Sequence, residues 1–329
     1  MKAAVYERYG PPDVVFLKDV EKPTPKDDEV LIRTRATTVT SADWRMRSLS
    51  APVGFGWVMR LVLGFSRPRQ PMLGMELAGE IESVGKGVRR FKVGDPVFAF
   101  SGSRFGMGCH AEYRCMPEEG PVALKPTNLS FEEAAALSFG GTTALDFFRR
   151  GKLRAGETIL INGASGAVGT AAVQLAKHIG AEVTGVSSTA NIELVRSLGA
   201  AHVIDYTRED FTRNGVRYDM IMDIAGTAPF SRCKSSLRKG GRLLMVLGGL
   251  PDMLRIPWDS LTSGRRIIAG PAAERADDLR TLATLAEAGA FRPVIDRCLP
   301  FEQIVDAHRV VDTGRKRGNL VVTFARDGA

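Results

Sequence analysis

Cysteine is scarce in this chain: four residues among 329, at positions 109, 115, 233 and 298. So few thiols, so widely spaced, exclude a disulfide framework and fit the reducing cytoplasm, which is the expected compartment. The N-terminus, "MKAAVYERYG", lacks the apolar core of a secretory signal. No apolar run is long enough to cross a bilayer. The strongest candidate, "GFGWVMRLVLGF" (54–65), is short and broken by Arg60, so no membrane partner is expected. The chain carries a net charge of +8, yet its Arg and Lys lie in scattered groups such as "RPR" (67–69) and "RKR" (315–317). None of these groups is interleaved with stacking aromatics, so no nucleic acid is expected either. The excess charge reads as a solvated basic surface able to attract an anionic ligand.

What is present changes character along the chain. The first hundred residues read as short strands cut by Gly and Pro: "AAVYERYG", "DEVLIRTRATTV", "ELAGEIESVG", "GDPVFAF" and "CHAEYRC". This is the texture of a compact, mostly antiparallel β unit, with no sustained helical period. At Ser130 a capping box with Glu133 opens an Ala-rich helix. Strands and helices then alternate. The near-continuous apolar strands "TILIN", "EVTGV", "HVI", "YDMIMD", "GRLLMVL" and "RIIAG" predict a parallel, doubly wound sheet covered on both faces. Helices are expected over 168–179, 191–198 and 276–288, and the tail "GNLVVTF" reads as a strand returning to the first unit. The expected domains are 1–123, 124–272 and 273–329, with the central α/β domain inserted into a β domain built from both chain ends.

The stretch "INGASGAVGTAAVQLAK" carries the first functional signal. Ala164, Gly166 and Gly169 occupy the small positions of a G-x-G-x-x-G turn, preceded by Gly163 and including Ser165, Ala167 and Val168. Such a turn lets backbone approach a pyrophosphate and lets helix and strand pack closely. Because it follows a strand and opens a helix, dinucleotide binding is the expectation rather than a plain turn. The second strand ends in "GVSSTAN". Ser187, Ser188, Thr189 and Asn191 stand where an NAD site usually places a carboxylate, and none occurs before Glu193. Hydroxyls and an amide accommodate a 2′-phosphate, so NADPH is the expected cofactor.

Taken with "GMELAGEIESVGKGVRRFKVGDPVFAF", "LSFEEAAALSFGGTTAL", "LGAAHVIDY" and "RGNLVVTF", the turn makes the chain resemble a medium-chain dehydrogenase/reductase of the zinc-independent quinone oxidoreductase branch. The resemblance runs almost end to end. It implies a GroES-like catalytic domain, a Rossmann domain and a homodimer, for which the sixth strand, "RIIAG" (266–270), offers an open sheet edge. A zinc relative would carry Cys where Thr40 stands and His where Met75 stands, so no metal is expected. The resemblance further implies metal-free hydride transfer to a quinone, enone or enal of apolar character, because a delocalised enolate needs only a few hydrogen-bond donors.

Candidate residues follow, some with open alternatives. Thr40 retains a donor where many relatives have Asn. Arg45 suits a carbonyl oxygen or a phosphate, while Asp43 and Arg45 together equally suit a surface salt bridge. Bulk water stands as the candidate proton donor. Thr143 resembles a residue at the nicotinamide end of the cofactor. Tyr206 either lines the adenosine pocket or packs beside it; Leu247, Gly248 and Gly249 end the fifth strand, and Asn319 is expected to face the nicotinamide. Phe55, Trp57 and Met59 form either an apolar substrate wall or a small packed cluster. Two other functions fit the same residues: an NADP-dependent alcohol dehydrogenase or carbonyl reductase, and an NADPH-binding redox sensor with little turnover.

Overall fold

The computed structural model describes residues 1–102 and 106–325. The chain divides into two units, the first comprising 1–51, 56–142 and 274–329, the second 52–55 and 143–273. The first unit opens with an antiparallel pair, β1 (Lys2–Tyr6) and β2 (Val15–Asp19), followed by the long strand β3 (Glu29–Val39). Two helices come next, α1 (Ser41–Ser48) and α2 (Gly56–Leu63). The strands β4 (Glu76–Val84), β5 (Pro96–Phe100), β6 (Tyr113–Pro117) and β7 (Val122–Leu124) and the short helix α3 (Phe131–Ala135) complete its first half. The chain passes into the second unit within α4 (Ser138–Gly151).

The second unit then alternates: β8 (Thr158–Asn162), α5 (Ala167–Ile179), β9 (Glu182–Ser187), α6 (Ile192–Ser197), β10 (His202–Asp205), β11 (Tyr218–Asp223) and α7 (Phe230–Cys233). It closes with β12 (Leu237–Met245), α8 (Leu250–Ser263) and β13 (Arg266–Ala269). The first unit resumes with α9 (Ala276–Glu287), β14 (Ile295–Pro300), α10 (Ile304–Asp312) and β15 (Asn319–Thr323). The tail does return to the first sheet: β15 pairs antiparallel with β3, register Leu320 to Val39. That sheet runs β14-β15-β3-β4-β5-β7, with β6 also pairing to β3.

The six-stranded sheet of the second unit is parallel throughout, in the order β10-β9-β8-β11-β12-β13. Numbered within the unit, that order is 3-2-1-4-5-6. The direction of winding reverses between β8 and β11, whose C-terminal residues Asn162 and Asp223 sit in register. A doubly wound sheet leaves a ligand crevice at such a reversal. The apolar character of its strands follows from burial on both faces: Ile159, Leu160, Ile161, Met220, Ile221 and Met222 are inaccessible to solvent. Among the described residues no helix is long and apolar enough to cross a membrane.

Three expectations need correction. The stretch "CHAEYRC" forms strand only from Tyr113 onward; residues before it make an isolated bridge from Ala111 to Ala3 and a backbone bond from His110 to Ala4. Competition from β1 ends the ladder there. The first hundred residues are also not free of helix. A second capping box, Thr40 with Asp43, starts α1, in the same [ST]-x-x-[DE] pattern that the Ser130–Glu133 box displays. Third, α2 escapes a pattern search because its outward arc is apolar, with Trp57, Leu61 and Val62 exposed.

One close approach holds the second unit's first turn together. A Cβ on Gly169 would lie 2.6 and 2.7 Å from the backbone of Ala164 and closer still to the Gly163 carbonyl, whereas on Gly166 it would meet nothing nearer than 3.9 Å. Gly163 itself sits at φ +92°, where a side chain is strained. Gly169→Val is therefore expected to lose about 3 kcal/mol of stability through backbone overpacking. Gly166→Val should stay within about 1 kcal/mol of the parent. Denaturant melts of the two variants check this separation.

Candidate active site

The second unit gathers its candidate residues along one edge, at the C-terminal ends of its strands. The helix α5 begins at Gly166, which provides no side-chain cap, so the first-turn N–H groups and the positive end of the helix dipole remain for an anion. Ser165 and Gly166 are half-buried, while Ala164, Ala167, Val168 and Gly169 are buried behind them. The open approach at Gly166 fits a diphosphate lying against the backbone, as a nicotinamide dinucleotide requires.

Beside this turn, Asn191 donates from Nδ2 to Ser165 Oγ at 3.2 Å and to Ser188 Oγ at 3.3 Å. Both hydroxyls accept here, so each keeps its own proton for an anionic oxygen. The amide thereby links the phosphate turn to the end of β9, a coupling invisible in sequence. Ser187 is buried and in register with Asp205. Asp205 was not singled out by sequence, yet it lies opposite Ser187 and bonds to the β9 loop through Thr189. It accepts from Thr189 Oγ1 at 2.5 Å, Thr207 Oγ1 at 2.7 Å and Thr207 N at 3.0 Å. Those bonds, Thr189 first, hold its carboxyl below the usual range. The Thr189 proton is thus committed to Asp205. Arg208 Nε lies 3.7 Å from the same carboxylate, supplying a cation that the "GVSSTAN" loop does not contain. Tyr206, next to Asp205, is largely exposed.

The loop after β11 is organised by another missed acid. Asp223 is buried, which raises its pKa, and accepts from Asn162 Nδ2 at 2.8 Å and from the backbone N–H groups of Gly226 and Ala228. An acid ending an apolar strand, "YDMIMD", was the available signal. Leu247, Gly248 and Gly249 lie between β12 and α8, and Gly249 is the N-cap of α8. Thr143 is buried within α4. Phe55 belongs to the second unit, while Trp57 and Met59 belong to α2 of the first.

In the first unit, Thr40 and Asp43 form a closed pair. Thr40 Oγ1 donates to Asp43 Oδ2 at 2.6 Å, Thr40 N donates to the same oxygen at 2.8 Å, and Gly74 N donates to Asp43 Oδ1 at 2.8 Å. Both residues are buried. The surface salt bridge between Asp43 and Arg45 is not what forms: Arg45 Nη1 instead donates to the Ser50 carbonyl at 3.1 Å, with its guanidinium over the Trp44 ring. Burial of Asp43 decides this, since its oxygens are already saturated by the cap. Arg47 is wholly buried and bonds to Asp312 of α10 and to the Gly10 carbonyl. Asn319 donates from Nδ2 to the Val294 carbonyl at 3.1 Å.

Glu76 is a buried acid of this unit with a strongly raised pKa. Its Oε1 accepts from Thr38 Oγ1 at 2.5 Å and its Oε2 from Phe139 N at 2.6 Å, which makes it a cap for the first turn of α4. Burial raises its pKa to about 7 against those bonds. Lys316 donates to the Gly318 carbonyl at 2.6 Å; burial lowers its pKa to about 8, against the attraction of Glu76. An acid inside the apolar run "MELAG" was the sequence signal for this site.

Residues 26–126 match the family described as "Alcohol dehydrogenase GroES-like domain", and residues 198–322 match "Zinc-binding dehydrogenase". Among similar proteins is the 2-methylene-furan-3-one reductase of Solanum lycopersicum, 33% identical across 98% of this chain and 79% of its own. The chloroplastic NADPH-dependent alkenal/one oxidoreductase of Arabidopsis thaliana is 31% identical with the same coverage of both chains. A solved quinone oxidoreductase from Coxiella burnetii superposes with a TM-score of 0.88 at 28% identity, over 99% of each chain.

The zinc in the second description finds no matching donors here. Catalytic zinc takes three side-chain ligands drawn from Cys, His and carboxylate. Thr40 is spent on Asp43, Met75 offers a buried thioether, and Glu76 is engaged by Thr38 and Phe139. Among the described residues no group of three or more His, Cys, Asp or Glu could hold a metal.

Glu76 links stability to pH. Its folded pKa is raised from 4.5 to about 7, so the folded state holds a proton that the unfolded state has released in that window. Its contribution is full below pH 4.5 and is lost as pH rises through about 7, with an upper bound of about 3 kcal/mol. Glu76→Gln is expected to flatten the fall in stability over that range, as read from denaturant melts at stepped pH.

Proposed function

The chain belongs to the medium-chain dehydrogenase/reductase superfamily, in its quinone oxidoreductase and alkenal/one oxidoreductase-like branch, and from that premise we propose that it reduces quinones or α,β-unsaturated carbonyls with NADPH and without a metal. A nicotinamide cofactor is typical of the family. The observation that carries the reading is the uncapped α5 N-terminus at the winding reversal, flanked by two hydroxyls whose protons Asn191 leaves free. When bound, the reduced nicotinamide supplies a hydride to the β-carbon of the substrate.

The chain's own residues do the rest. Backbone N–H groups of the α5 first turn offset the diphosphate charge. Ser165 and Ser188 donate to phosphate oxygens, and Arg208 adds a cation at the 2′ corner. Asp205 already accepts three hydrogen bonds from Thr189 and Thr207, which makes it a weaker acceptor for a ribose hydroxyl than the free carboxylate of an NAD-selective site. Thr143 and Asn319 remain candidates for the nicotinamide end, with Tyr206 and Leu247 to Gly249 around the adenosine and ribose. Thr40 remains the candidate donor to the substrate oxygen, a role that requires its one hydroxyl proton to turn away from Asp43. Negative charge spread over an enolate or a hydroquinone anion needs only such a donor, and water returns the proton. Phe55, Trp57 and Met59 supply apolar surface for the substrate.

A second reading rests on a specific observation. The Thr40 hydroxyl gives its proton to Asp43, whose other oxygen accepts from Gly74 N. A chain that binds NADPH but turns over little has that property. Oxidation of NADPH measured against a panel of quinones, enals and simple ketones separates the two. Turnover of conjugated substrates with simple ketones inert is expected; tight NADPH binding without turnover sinks the enzyme reading.

The homodimer is proposed to join through β13, which among the described residues pairs with β12 alone and lies at the sheet edge. Beside that edge α8 exposes Leu254, Trp258 and Leu261 at helical spacing. Light scattering at micromolar concentration is expected to give twice the chain mass.

Two further outcomes follow. Ser188→Asp should weaken NADPH binding about tenfold, on the order of 1.4 kcal/mol, through charge repulsion while sparing NADH. Cofactor titrations check it, and tighter NADH than NADPH binding by the parent contradicts the assignment. Elemental analysis of the purified protein is expected to find no stoichiometric zinc after mild chelation.

A further inference from the structure

Between Asp43 and Glu76 the chain contains no acidic residue and five arginines, at 45, 47, 60, 67 and 69. Arg47 is buried and Arg45 is held against Ser50, so the exposed cations of this stretch are Arg60, Arg67 and Arg69. They surround α2. That helix has no buried residue at all. Its outward arc carries Trp57 and Leu61, one turn apart, and is continued by Val62 and Phe65, which are 62% and 59% exposed. Arg60 borders the same arc, 300° around the wheel from Trp57 by helical spacing of about 100° per residue.

The segment is nevertheless fixed in place. Tyr9 Oη donates to the Gly64 carbonyl at 2.9 Å, Arg60 Nη1 to the Phe65 carbonyl at 2.9 Å, and Arg69 N to the Leu63 carbonyl at 2.8 Å. Three large apolar side chains on the helix, and Phe65 just beyond it, are thus displayed on a supported segment rather than on a loose loop. Exposed apolar patches of this kind mark contacts with a protein, a membrane or a ligand.

Charge decides among those partners. The other exposed apolar helix, α8, carries Asp252 and Asp259 as well as Arg255 within its sequence, a mixed pattern with no bias of sign. Around α2 the sign is uniform. A helix lying in a bilayer interface combines an apolar face bearing Trp with Arg or Lys that meet anionic headgroups. We propose that α2, with Phe65, Arg67 and Arg69, is a peripheral docking surface for an anionic lipid bilayer. The chain lies on the surface and does not span it. The proposal concerns lipid binding and not the reaction, and it shares Trp57 and Met59 of α2 with the apolar surface proposed for the substrate.

The test uses the full-length protein with vesicles of phosphatidylcholine, alone or mixed with phosphatidylserine, and measures the co-sedimented fraction at low and high salt. Binding to the mixed vesicles, weak binding to phosphatidylcholine alone and release by salt are expected. Two paired variants locate the surface: Trp57→Ser with Leu61→Ser, and Arg67→Glu with Arg69→Glu. Each pair should reduce the bound fraction at least about fivefold, with an unchanged melting temperature because these side chains are exposed. Absence of binding to the mixed vesicles at low salt overturns the proposal, and so does binding that both pairs leave intact. If the variants change the mass in light scattering while no vesicle binding occurs, the face is a contact between copies and the proposal falls.

Discussion

The missing side chain at Gly169 is the constraint on which the second unit depends. It lets α5 come down on the turn after β8, so that the helix start is held against the backbone of Gly163 and Ala164. That contact aims the helix dipole and the free N–H groups of the first turn at the winding reversal between β8 and β11. Everything else at this edge is arranged around the turn. Asn162 and Asp223 tie the neighbouring strand ends together, and Asn191 bridges from the β9 loop to Ser165. A few tenths of an ångström at one residue would move all of them.

The first unit is organised by buried polar groups in place of a tight turn. Asp43 ties the start of α1 to Gly74, Arg47 ties the same helix to Asp312 of α10, and Glu76 ties β4 to β3 and to the start of α4. Each of these groups costs several kcal/mol to bury alone and is tolerable only with its partners in place. The network therefore favours one arrangement of α1, β3, β4 and α10 over near alternatives. It also keeps these polar residues away from solvent, and for Glu76 that burial raises the pKa.

Hydrogen-bond direction matters as much as residue type at the cofactor corner. Read as letters, Ser187, Ser188, Thr189 and Asn191 are four equivalent polar residues. In the fold they divide: Thr189 gives its proton to Asp205, Asn191 gives its protons to two serines, and Ser165 and Ser188 keep theirs. Asp205, which as a bare carboxylate would favour a ribose hydroxyl, already accepts three bonds from its neighbours. The selectivity proposed for this corner thus rests on who donates to whom.

Local pattern was enough for the backbone architecture. Apolar strand runs, the capping box at Ser130, the Gly-rich turn and the returning tail each depend on residues near one another in the chain, and the α/β insertion in a β unit follows from them. The absence of Cys and His at Thr40 and Met75 is equally local, and so are the serines after β9. The partners of buried charges were not legible. Arg47 meets Asp312 across 265 residues, Glu76 meets Phe139 across 63, and Thr189 meets Asp205 across 16. Sequence spacing carries no information about such pairs, because they are set by which strands and helices pack together. The exposure of α2 was left open in the sequence, where Phe55, Trp57 and Met59 fit either a substrate wall or a packed cluster, and only the packed fold leaves Trp57, Leu61 and Val62 facing out.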